Sequence, residues 1–248
     1  MRKVRRETGL FLAEGASIVM TARENGWVPA TVVLGPASAE SAVARDIHAW
    51  ARARGADCLD VSGAVLEKLA AKDNPQSVMA VFPQRWADPP ATAKLPATAL
   101  WLALEGIRDP GNLGTIIRTL DACGADGVIL VGDTCDPYSR EAVRASMGSI
   151  FAVPVARMSR SDFLALAKAW PGDVVGTHLR GSIDYRTAGY ASRCLLVMGT
   201  EGAGMTGEAV DVCRKLVRIP MAGKLDSLNL AVATALVLYE IKRPSLEL

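Results

Sequence analysis

The sequence predicts an α/β protein built from two successive parts. Apolar runs of strand length alternate with amphipathic stretches of helical length through most of the 248 residues, which is typical of helices packed on a largely parallel sheet. A proline-rich segment, residues 86–96, divides the chain, because proline removes amide donors and disfavours helix before each ring. Near the C-terminus two apolar runs break into loops, the first rich in glycine, where a backbone turns sharply or approaches a ligand closely.

The first part, residues 1–85, is expected to form a small α/β unit. Its predicted helices cover Gly9–Met20, Ala39–Arg54 and Gly63–Ala70, and its predicted strands cover Ala30–Leu34, Cys58–Val61 and Val78–Phe82. The second part continues the alternation. Its predicted strands cover Ala99–Leu104, Gly127–Val131, Ile150–Val155, Val174–His178, Leu195–Met198 and Leu216–Met221. Its predicted helices cover Leu113–Cys123, Ser139–Ser149, Ser161–Trp170 and a last helix that begins at Ser227.

Composition places the chain among soluble globular proteins, with 50% hydrophobic and 22% charged residues. The net charge of +2 decides little, so nucleic-acid binding would need local basic patches. Residues 2–6, RKVRR, are either a solvated terminus or an arm that contacts phosphate. Five cysteines without a C-x-x-C pair favour reduced thiols in a cytoplasmic protein. No apolar run reaches the roughly 20 residues of a membrane helix, and the apolar stretch after the basic start is too short for a signal peptide.

Several familiar catalytic patterns are absent from the sequence. The C-terminal glycines run G-x-x-G-x-G rather than G-x-G-x-x-G and come late in the chain, which counts against a dinucleotide-binding oxidoreductase. Neither a G-x-x-x-x-G-K-[ST] phosphate loop nor a G-x-S-x-G nucleophile turn occurs. His48 and His178 have no obvious nucleophile partner and are interpreted as structural. We therefore expect neither a bound metal nor a hydrolase triad.

Three short segments carry the strongest functional signal. They read DPGNLGTIIRT (Asp109–Thr119), MGTEGAGM (Met198–Met205) and IPMAGKLDSLNLAVATALVLYE (Ile219–Glu240). In order and type they resemble the signature motifs of the SpoU (TrmH-like) branch of the SPOUT RNA methyltransferases, and the resemblance covers residues 99–241. In the first part, RRETGLFLAEG (Arg5–Gly15) and DNPQSVMAVF (Asp73–Phe82) are similar to a small RNA substrate-binding domain related to ribosomal protein L30e.

This resemblance implies a fold and an activity. The activity is transfer of a methyl group from S-adenosylmethionine to a ribose 2′-hydroxyl of RNA, with rRNA favoured over tRNA. The fold is a parallel α/β sheet whose C-terminal segment forms a deep trefoil knot, a rare exception to the rule that chains are unknotted. The implied domains are an L30e-like RNA substrate-binding domain at 1–85, a linker at 86–96 and a SPOUT methyltransferase domain at 97–248. Family enzymes are usually homodimers whose active site uses both subunits, so a homodimer is expected.

The resemblance also places S-adenosylmethionine in the loops of the knot. Gly199, Ile219 and Leu228 would be its principal contacts, largely through backbone groups. The full set implied for cofactor binding is Met198, Gly199, Thr200, Gly204, Ile219, Met221 and Leu228. The alternative is that the glycines serve only as turns.

Five residues match the family's catalytic positions, namely Arg118, Asn112, Glu201, Ser227 and Asn229. The family proposal makes the arginine a general base, yet a guanidinium stays protonated below pH about 12. We interpret Arg118 as a group that binds phosphate and stabilises a developing oxyanion, with Glu201 able to orient it. Asn112 and Ser227 could instead serve only as helix caps.

Two further interpretations concern helices. Asn229 is expected inside the first turn of the last helix, where a buried amide must find partners. The apolar residues around it, Leu228, Val232, Leu236 and Tyr239, are interpreted as core. On the predicted helix Ser139–Ser149, Arg140 and Arg144 share a face that either contacts RNA or is simply solvated.

Two rival classes remain open at this point. One is a non-catalytic RNA-binding or ribosome-assembly protein that retains the methyltransferase fold, against which the retained Arg118, Glu201 and Asn229 count. The other is a nucleotide-dependent oxidoreductase, which lacks its glycine fingerprint. The sequence leaves open which RNA and which nucleotide would be the target.

Overall fold

A computed structural model describes residues 2–70, 76–179, 181 and 183–246. The chain divides into two compact units. The first joins the residues up to Arg85 to Asp136–Ala152, and the second joins Trp86–Cys135 to the residues from Val153 onward. Residues 136–152, assigned from the sequence to the second domain, thus pack within the first unit. Residues 86–96, expected to be a linker, belong to the second, where Ala87 pairs with Ala156 in a parallel bridge.

The first unit contains a mixed four-stranded sheet. Its strands are β1 (Leu10–Glu14), β2 (Thr31–Leu34), β3 (Asp57–Asp60) and β4 (Val78–Pro83). Numbered along the whole chain, its helices are α1 (Arg2–Thr8), α2 (Ala16–Glu24), α3 (Ala42–Ala53), α4 (Gly63–Leu69) and α6 (Arg140–Ala145). The sheet order is β1-β4-β2-β3, with β4 antiparallel to β1 and β2 and with β2 parallel to β3. The predicted strands and the later helices of this part are confirmed.

The predicted helix Gly9–Met20 is wrong. Its first half forms β1, in which Phe11 and Ala13 are buried while their neighbours are partly exposed, the two-residue period of a strand. The second half lies in α2, which begins after Gly15. Gly15 has a φ of 110°, which a helix does not allow, and its N–H donates to the Val78 carbonyl at 2.9 Å.

Residues 136–152 complete an aromatic core in the first unit. Neighbouring ring centroids lie 4.6–6.5 Å apart among Phe11, Trp27, Phe82, Tyr138 and Phe151. The Trp27 indole N–H also donates to the Phe151 carbonyl at 2.8 Å. The predicted strand Ile150–Val155 is therefore wrong, because its first residues form a 3₁₀ turn at Ser149–Phe151 that packs into this core. The preceding helix, α6, is correspondingly shorter than predicted.

The second unit is an α/β structure built on a parallel sheet. Its strands are β5 (Ala99–Glu105), β6 (Gly127–Val131), β7 (Val155–Met158), β8 (Asp173–Thr177), β9 (Ile183–Asp184), β10 (Arg193–Met198) and β11 (Lys215–Arg218). Its helices are α5 (Pro110–Ala122), α7 (Arg160–Ala169), α8 (Gly207–Asp211) and α9 (Leu230–Lys242). The order is β7-β6-β5-β10-β8-β11-β9, and each of these pairings is parallel.

The order of the strands places the glycine-rich loop after β10 at the point where the chain changes its direction of travel across the sheet. The chain moves outward from β5 to β6 and β7, and β10 later returns to lie between β5 and β8. Met198 at the end of β10 pairs with Leu104, so the carboxyl ends of these strands meet at one edge. Open parallel sheets bind ligands at such an edge, beside the reversal. Among the helices of the described residues, none is long and apolar enough to cross a membrane.

Candidate active site

A cavity of about 420 Å³ opens beside the carboxyl ends of β8, β10 and β11. Its walls come from residues within 177–179, 198–204 and 217–233. All seven residues implied for cofactor binding line it, namely Met198, Gly199, Thr200, Gly204, Ile219, Met221 and Leu228. Two of the motifs therefore meet around one space, while the ligand that these residues bind stays a prediction.

The loop after β10 folds back on itself. The Thr200 N–H donates to the Gly204 carbonyl at 3.0 Å, and the Gly204 N–H donates to the Thr200 carbonyl at 3.1 Å. Gly204 has a φ of 70°, in the left-handed region that favours glycine. A β-carbon at Gly199 would lie 2.0 Å from the carbonyl carbon of Gly204, so this fold of the loop excludes other residues at 199. The need for glycine at 199 thus arises inside the loop itself, beyond any approach to a ligand.

A buried carboxylate holds the far end of the same loop. Glu105, the last residue of β5, is only 4% exposed and accepts hydrogen bonds from the N–H and the hydroxyl of Thr206, both at 2.8 Å. The Thr206 hydroxyl in turn caps α8 by accepting from the Ala209 N–H at 3.3 Å. Arg160 places its Nε 3.2 Å from Glu105 Oε1. Sequence reasoning missed Glu105, although a carboxylate that ends an otherwise apolar strand was the available signal.

Three polar side chains connect separate segments of the second unit. Asn112 Nδ2 donates to Glu201 Oε1 at 3.2 Å, and Asn229 Nδ2 donates to Asn112 Oδ1 at 2.9 Å. We name the chain Glu201–Asn112–Asn229 the amide relay. Asn229 Oδ1 also accepts from the N–H groups of Ala231 and Val232, at 2.9 and 3.3 Å. Asn229 therefore caps α9 while it orients the relay.

Helix capping differs from the sequence prediction. Helix α5 begins at Pro110, and its cap is Asp109, whose carboxylate accepts from the Asn112 N–H at 2.6 Å. Asn112 thus lies inside the first turn, with its amide in the relay. Helix α9 begins at Leu230 rather than Ser227, so Asn229 is its cap and not a residue of its first turn. Ser227 lines the cavity instead. The purely capping interpretation is wrong for Asn112 and Ser227.

Arg118 lies on the exposed face of α5 and outside the cavity wall. Its guanidinium makes no hydrogen bond or ion pair with any residue that the structure describes. Within one chain Glu201 bonds Asn112 rather than Arg118. Of the five predicted catalytic residues, Glu201 and Ser227 line the cavity, Asn112 and Asn229 join it through the relay, and Arg118 stands apart. Among the described residues, none supplies an anionic partner for this guanidinium.

Among the lining residues that were not predicted from the sequence, four have polar side chains. They are Thr177, His178, Arg218 and Asp226. Thr177 and His178 follow from parallel-sheet geometry, because β8 ends beside β10, and Thr177 places its hydroxyl 3.0 Å from the sulfur of Met198. The residues around His178 in the sequence do not indicate a functional site, which is why His178 was interpreted as structural. Within the described ranges, no cluster of His, Cys, Asp or Glu side chains could hold a metal ion.

Helix α9 exposes an apolar stripe. Val232, Leu236 and Tyr239 follow one another at helical spacing and are 50%, 38% and 46% exposed. Leu228, just before the helix, is exposed as well. Their interpretation as core is wrong, because the buried side of the helix is formed by Leu230, Ala231, Thr234, Val237 and Leu238. An exposed apolar patch of this kind is typical of an interaction surface.

Comparison with known proteins accounts for both parts of the sequence. The model of the SpoU rRNA Methylase family matches residues 99–239, and that of the MRM3-like substrate binding domain matches residues 1–80. The 23S rRNA (guanosine(2553)-2′-O)-methyltransferase RlmP of Bacillus subtilis is 29% identical, over 97% of this chain and 92% of its own. The 23S rRNA (uridine(2479)-2′-O)-methyltransferase of Streptomyces viridochromogenes is 32% identical, over 98% of this chain and 85% of its own.

Solved structures agree with these sequence matches. The AdoMet-bound rRNA methyltransferase from Sinorhizobium meliloti superposes with a TM-score of 0.90 at 44% identity, covering 100% of this chain and 92% of that one. The SpoU methyltransferase AviRb from Streptomyces viridochromogenes, in complex with AdoMet, gives a TM-score of 0.84 at 31% identity, covering 98% of this chain and 93% of that one. The resemblance inferred from the three motifs is confirmed. The chain belongs to the SpoU rRNA methylase family.

Proposed function

We propose that this protein transfers a methyl group from S-adenosylmethionine to a ribose 2′-hydroxyl of ribosomal RNA. The observation that carries the proposal is the cavity at the edge of the parallel sheet, where all seven residues implied for cofactor binding meet. Relatives that match nearly the whole chain and are named as 23S rRNA 2′-O-methyltransferases support ribosomal over transfer RNA.

The cavity fits S-adenosylmethionine in size and in charge. Its volume of about 420 Å³ lies in the range of about 300–1,000 Å³ usual for small-molecule sites. Met198 and Leu230 would supply apolar walls for the adenine ring, and the carboxylates of Asp226 and Glu201 would offset the positive charges of the sulfonium and ammonium groups. Arg218 offers a partner for the methionine carboxylate. When bound, S-adenosylmethionine supplies an activated methyl group with a neutral leaving group.

Arg118 provides the fixed positive charge that the RNA needs. A 2′-hydroxyl that loses its proton develops negative charge on oxygen, and a positioned cation stabilises that charge. A guanidinium keeps its proton below pH about 12, so Arg118 acts as an anion binder rather than as a base. Replacement by Arg118→Lys keeps the charge but loses the planar fork. Near-full turnover by that variant would contradict this role.

The proton released from the 2′-hydroxyl needs an acceptor, which we assign to Glu201. This carboxylate is exposed and lines the cavity, and the Asn112 amide holds one of its oxygens at 3.2 Å. General base catalysis typically contributes about 10²–10⁴-fold, so Glu201→Gln should lower kcat by a factor in this range. A Glu201→Gln variant that keeps the wild-type kcat would place the acceptor elsewhere.

We further propose that the active protein is a homodimer joined through α9. The stripe of Val232, Leu236 and Tyr239 is exposed in one subunit, and Arg118 has no partner among its described residues. A second copy would cover the stripe and bring an external group to the unpaired guanidinium. Light scattering of Val232→Glu combined with Leu236→Glu should then give the monomer mass. Leu59→Glu, at an exposed apolar residue of β3, serves as the matched control and should stay dimeric.

The proposal also covers the roles of the two parts of the chain and the path of the C-terminal segment. We assign RNA binding to the L30e-like part at 1–85 together with residues 136–152, which pack with it, and methyl transfer to the second unit. We also propose that the C-terminal segment forms the trefoil knot, supported by the return of β10 between β5 and β8. The five cysteines are free thiols, which suits a cytoplasmic enzyme.

The test is methyl transfer from labelled S-adenosylmethionine to rRNA that lacks the protein's own modification. Nuclease digestion and nucleoside mass spectrometry should reveal one 2′-O-methylnucleoside, which is absent when Arg118→Ala replaces the wild type. The same product on tRNA alone would correct the substrate. Tight cofactor binding without transfer to free rRNA or ribosomal subunits would instead favour a non-catalytic assembly factor.

A further inference from the structure

Met147 adopts a backbone conformation that its side chain disfavours. It is the residue other than glycine, among those described, that has a positive φ, at 52°. It directly follows Ser146, the C-cap residue of α6, and its N–H donates to the Arg144 carbonyl at 3.1 Å. Helices commonly place glycine or asparagine in this left-handed position, because a larger side chain crowds the following carbonyl. Methionine is therefore an unusual choice on grounds of folding.

The neighbours of Met147 hold this conformation in place. Gly148 has a φ of 102°, and a β-carbon there would lie 3.0 Å from the Thr21 side chain of α2. Ser146 is fully buried, and its hydroxyl donates to the Val143 carbonyl at 2.7 Å. The chain is thus fixed on both sides of Met147. Strain that the surrounding structure imposes in this way often marks a functional position.

The strained residue projects into solvent beside a free cation. Met147 is 54% exposed, and no other methionine of the described chain is exposed to this degree. Arg144 is exposed, and its guanidinium forms no hydrogen bond or ion pair with the described residues, whereas the Arg140 guanidinium donates to the Leu69 carbonyl. The end of α6 therefore presents a polarisable apolar side chain and an unpaired guanidinium close together.

We propose that Met147 and Arg144 bind an unpaired nucleotide of the RNA substrate. Met147 packs against the face of the base, and Arg144 binds the adjoining phosphate. Sequence-specific RNA recognition targets single-stranded bases that pack on side chains, and a flexible thioether suits such a ring. A cation next to the apolar contact matches a nucleotide, which joins a ring to a phosphate. This inference rests on the proposed RNA substrate and extends it to a recognition element outside the active site.

The decisive variant is Met147→Asn, because asparagine tolerates a left-handed backbone but removes the apolar chain. Fluorescence anisotropy of the full-length protein with a labelled 12-nucleotide oligoadenylate should show about tenfold weaker binding. The melting temperature should stay equal or rise. Met147→Gly is the second variant and should behave alike, while Val43→Asn, at an exposed apolar residue of α3, should bind as the wild type does. Arg144→Gln should weaken binding. It should also reduce the slope of log affinity against log salt concentration by about one, the value expected for the loss of one phosphate contact.

Three results would overturn the inference. They are oligoadenylate binding by Met147→Asn equal to the wild type, an equal loss in Val43→Asn, or no oligoadenylate binding by the wild type. An effect of Met147→Asn seen only on intact ribosomal subunits would mean that the residue contacts a protein instead. Turnover on rRNA separates the two proposals. If the wild type methylates rRNA and Met147→Asn has the same KM for rRNA, this inference alone is contradicted. If the wild type does not methylate rRNA, the proposed reaction alone is contradicted.

Discussion

Substitutions at Asn229 should separate the stability of α9 from the function of the amide relay. The Asn229 Oδ1 caps the helix, and its Nδ2 supplies the proton of the bond to Asn112. Asn229→Asp keeps a good cap but removes the donor. Asn112 can then turn its own amide toward the new carboxylate, which leaves its oxygen facing the Glu201 carboxylate without a proton between them. The relay is broken at one end or the other while the helix start is preserved.

The expected magnitudes differ for the two functions. Aspartate and serine cap nearly as well as asparagine, whereas Asn229→Ala should cost about 1 kcal/mol. For a domain of this size that loss lowers the melting temperature by about 2–4 °C. One hydrogen bond is worth about 0.5–1.5 kcal/mol, and the relay is solvent-exposed, so kcat should fall about two- to tenfold in Asn229→Asp.

The assay is a thermal melt together with steady-state methyl transfer for three variants of Asn229. Asn229→Ser is the matched control, because it keeps the cap and adds no charge, while its shorter side chain lacks the amide Nδ2 that reaches Asn112. We expect the Asp and Ser variants to melt near the wild-type temperature and to turn over slowly. The Ala variant should lose both stability and turnover. Wild-type kcat in the Asp and Ser variants would refute the relay, and an unchanged melting temperature in the Ala variant would refute the cap.

Gly199→Ala places a β-carbon 2.0 Å from the Gly204 carbonyl carbon, so the loop must shift. Calorimetry should show S-adenosylmethionine binding at least about tenfold weaker, and unchanged affinity would contradict the loop geometry. Glu105→Gln weakens both bonds from Thr206 and should cost about 1–3 kcal/mol in chemical denaturation, with KM for S-adenosylmethionine rising more than kcat falls. A stable variant with both constants unchanged would argue against its positioning role. Burial raises the pKa of the Cys194 thiol to about 12, so the reactive thiolate is scarce in the folded protein at pH 8. Iodoacetamide should therefore label Cys194 far faster after denaturation, and equal rates by mass spectrometry would contradict its burial.

The second unit was largely predictable because its strands are buried on both faces. β5 and β6 are apolar along their length, apart from the terminal Glu105, and form short uninterrupted runs bounded by turn residues. The two loops that line the cavity were predictable from their glycines and from the order of the motifs. What linear patterns could not supply was the identity of the caps, since Ser227 and Asn229 are both good capping residues two positions apart. The structure distinguishes them, because the N–H groups of Ala231 and Val232 donate to Asn229 Oδ1.

The errors in the first unit have a common physical origin. Apolar residues near Phe11 and Phe151 indicate burial, but they do not indicate which element buries them. The residues before Gly15 read as a helix because their strand is short and β-branched residues are absent from it. Phe151 read as a strand residue because its partners, Phe11 and Trp27, lie more than one hundred positions away in the sequence. The exposed stripe on α9 was mistaken for core for a related reason, since that helix is apolar on both sides.

The discontinuity of the first unit sets an order of events on the ribosome. Phe11, Trp27 and Phe82 leave the exit tunnel early, yet their aromatic core lacks Tyr138 and Phe151 until the ribosome has added about 70 more residues. At about 5–20 residues per second this leaves a gap of several seconds. During that time β5 and β6 have already been synthesised. The N-terminal part therefore cannot finish folding as an independent nascent domain, and a translational pause after residue 85 would prolong the exposure of three aromatic side chains.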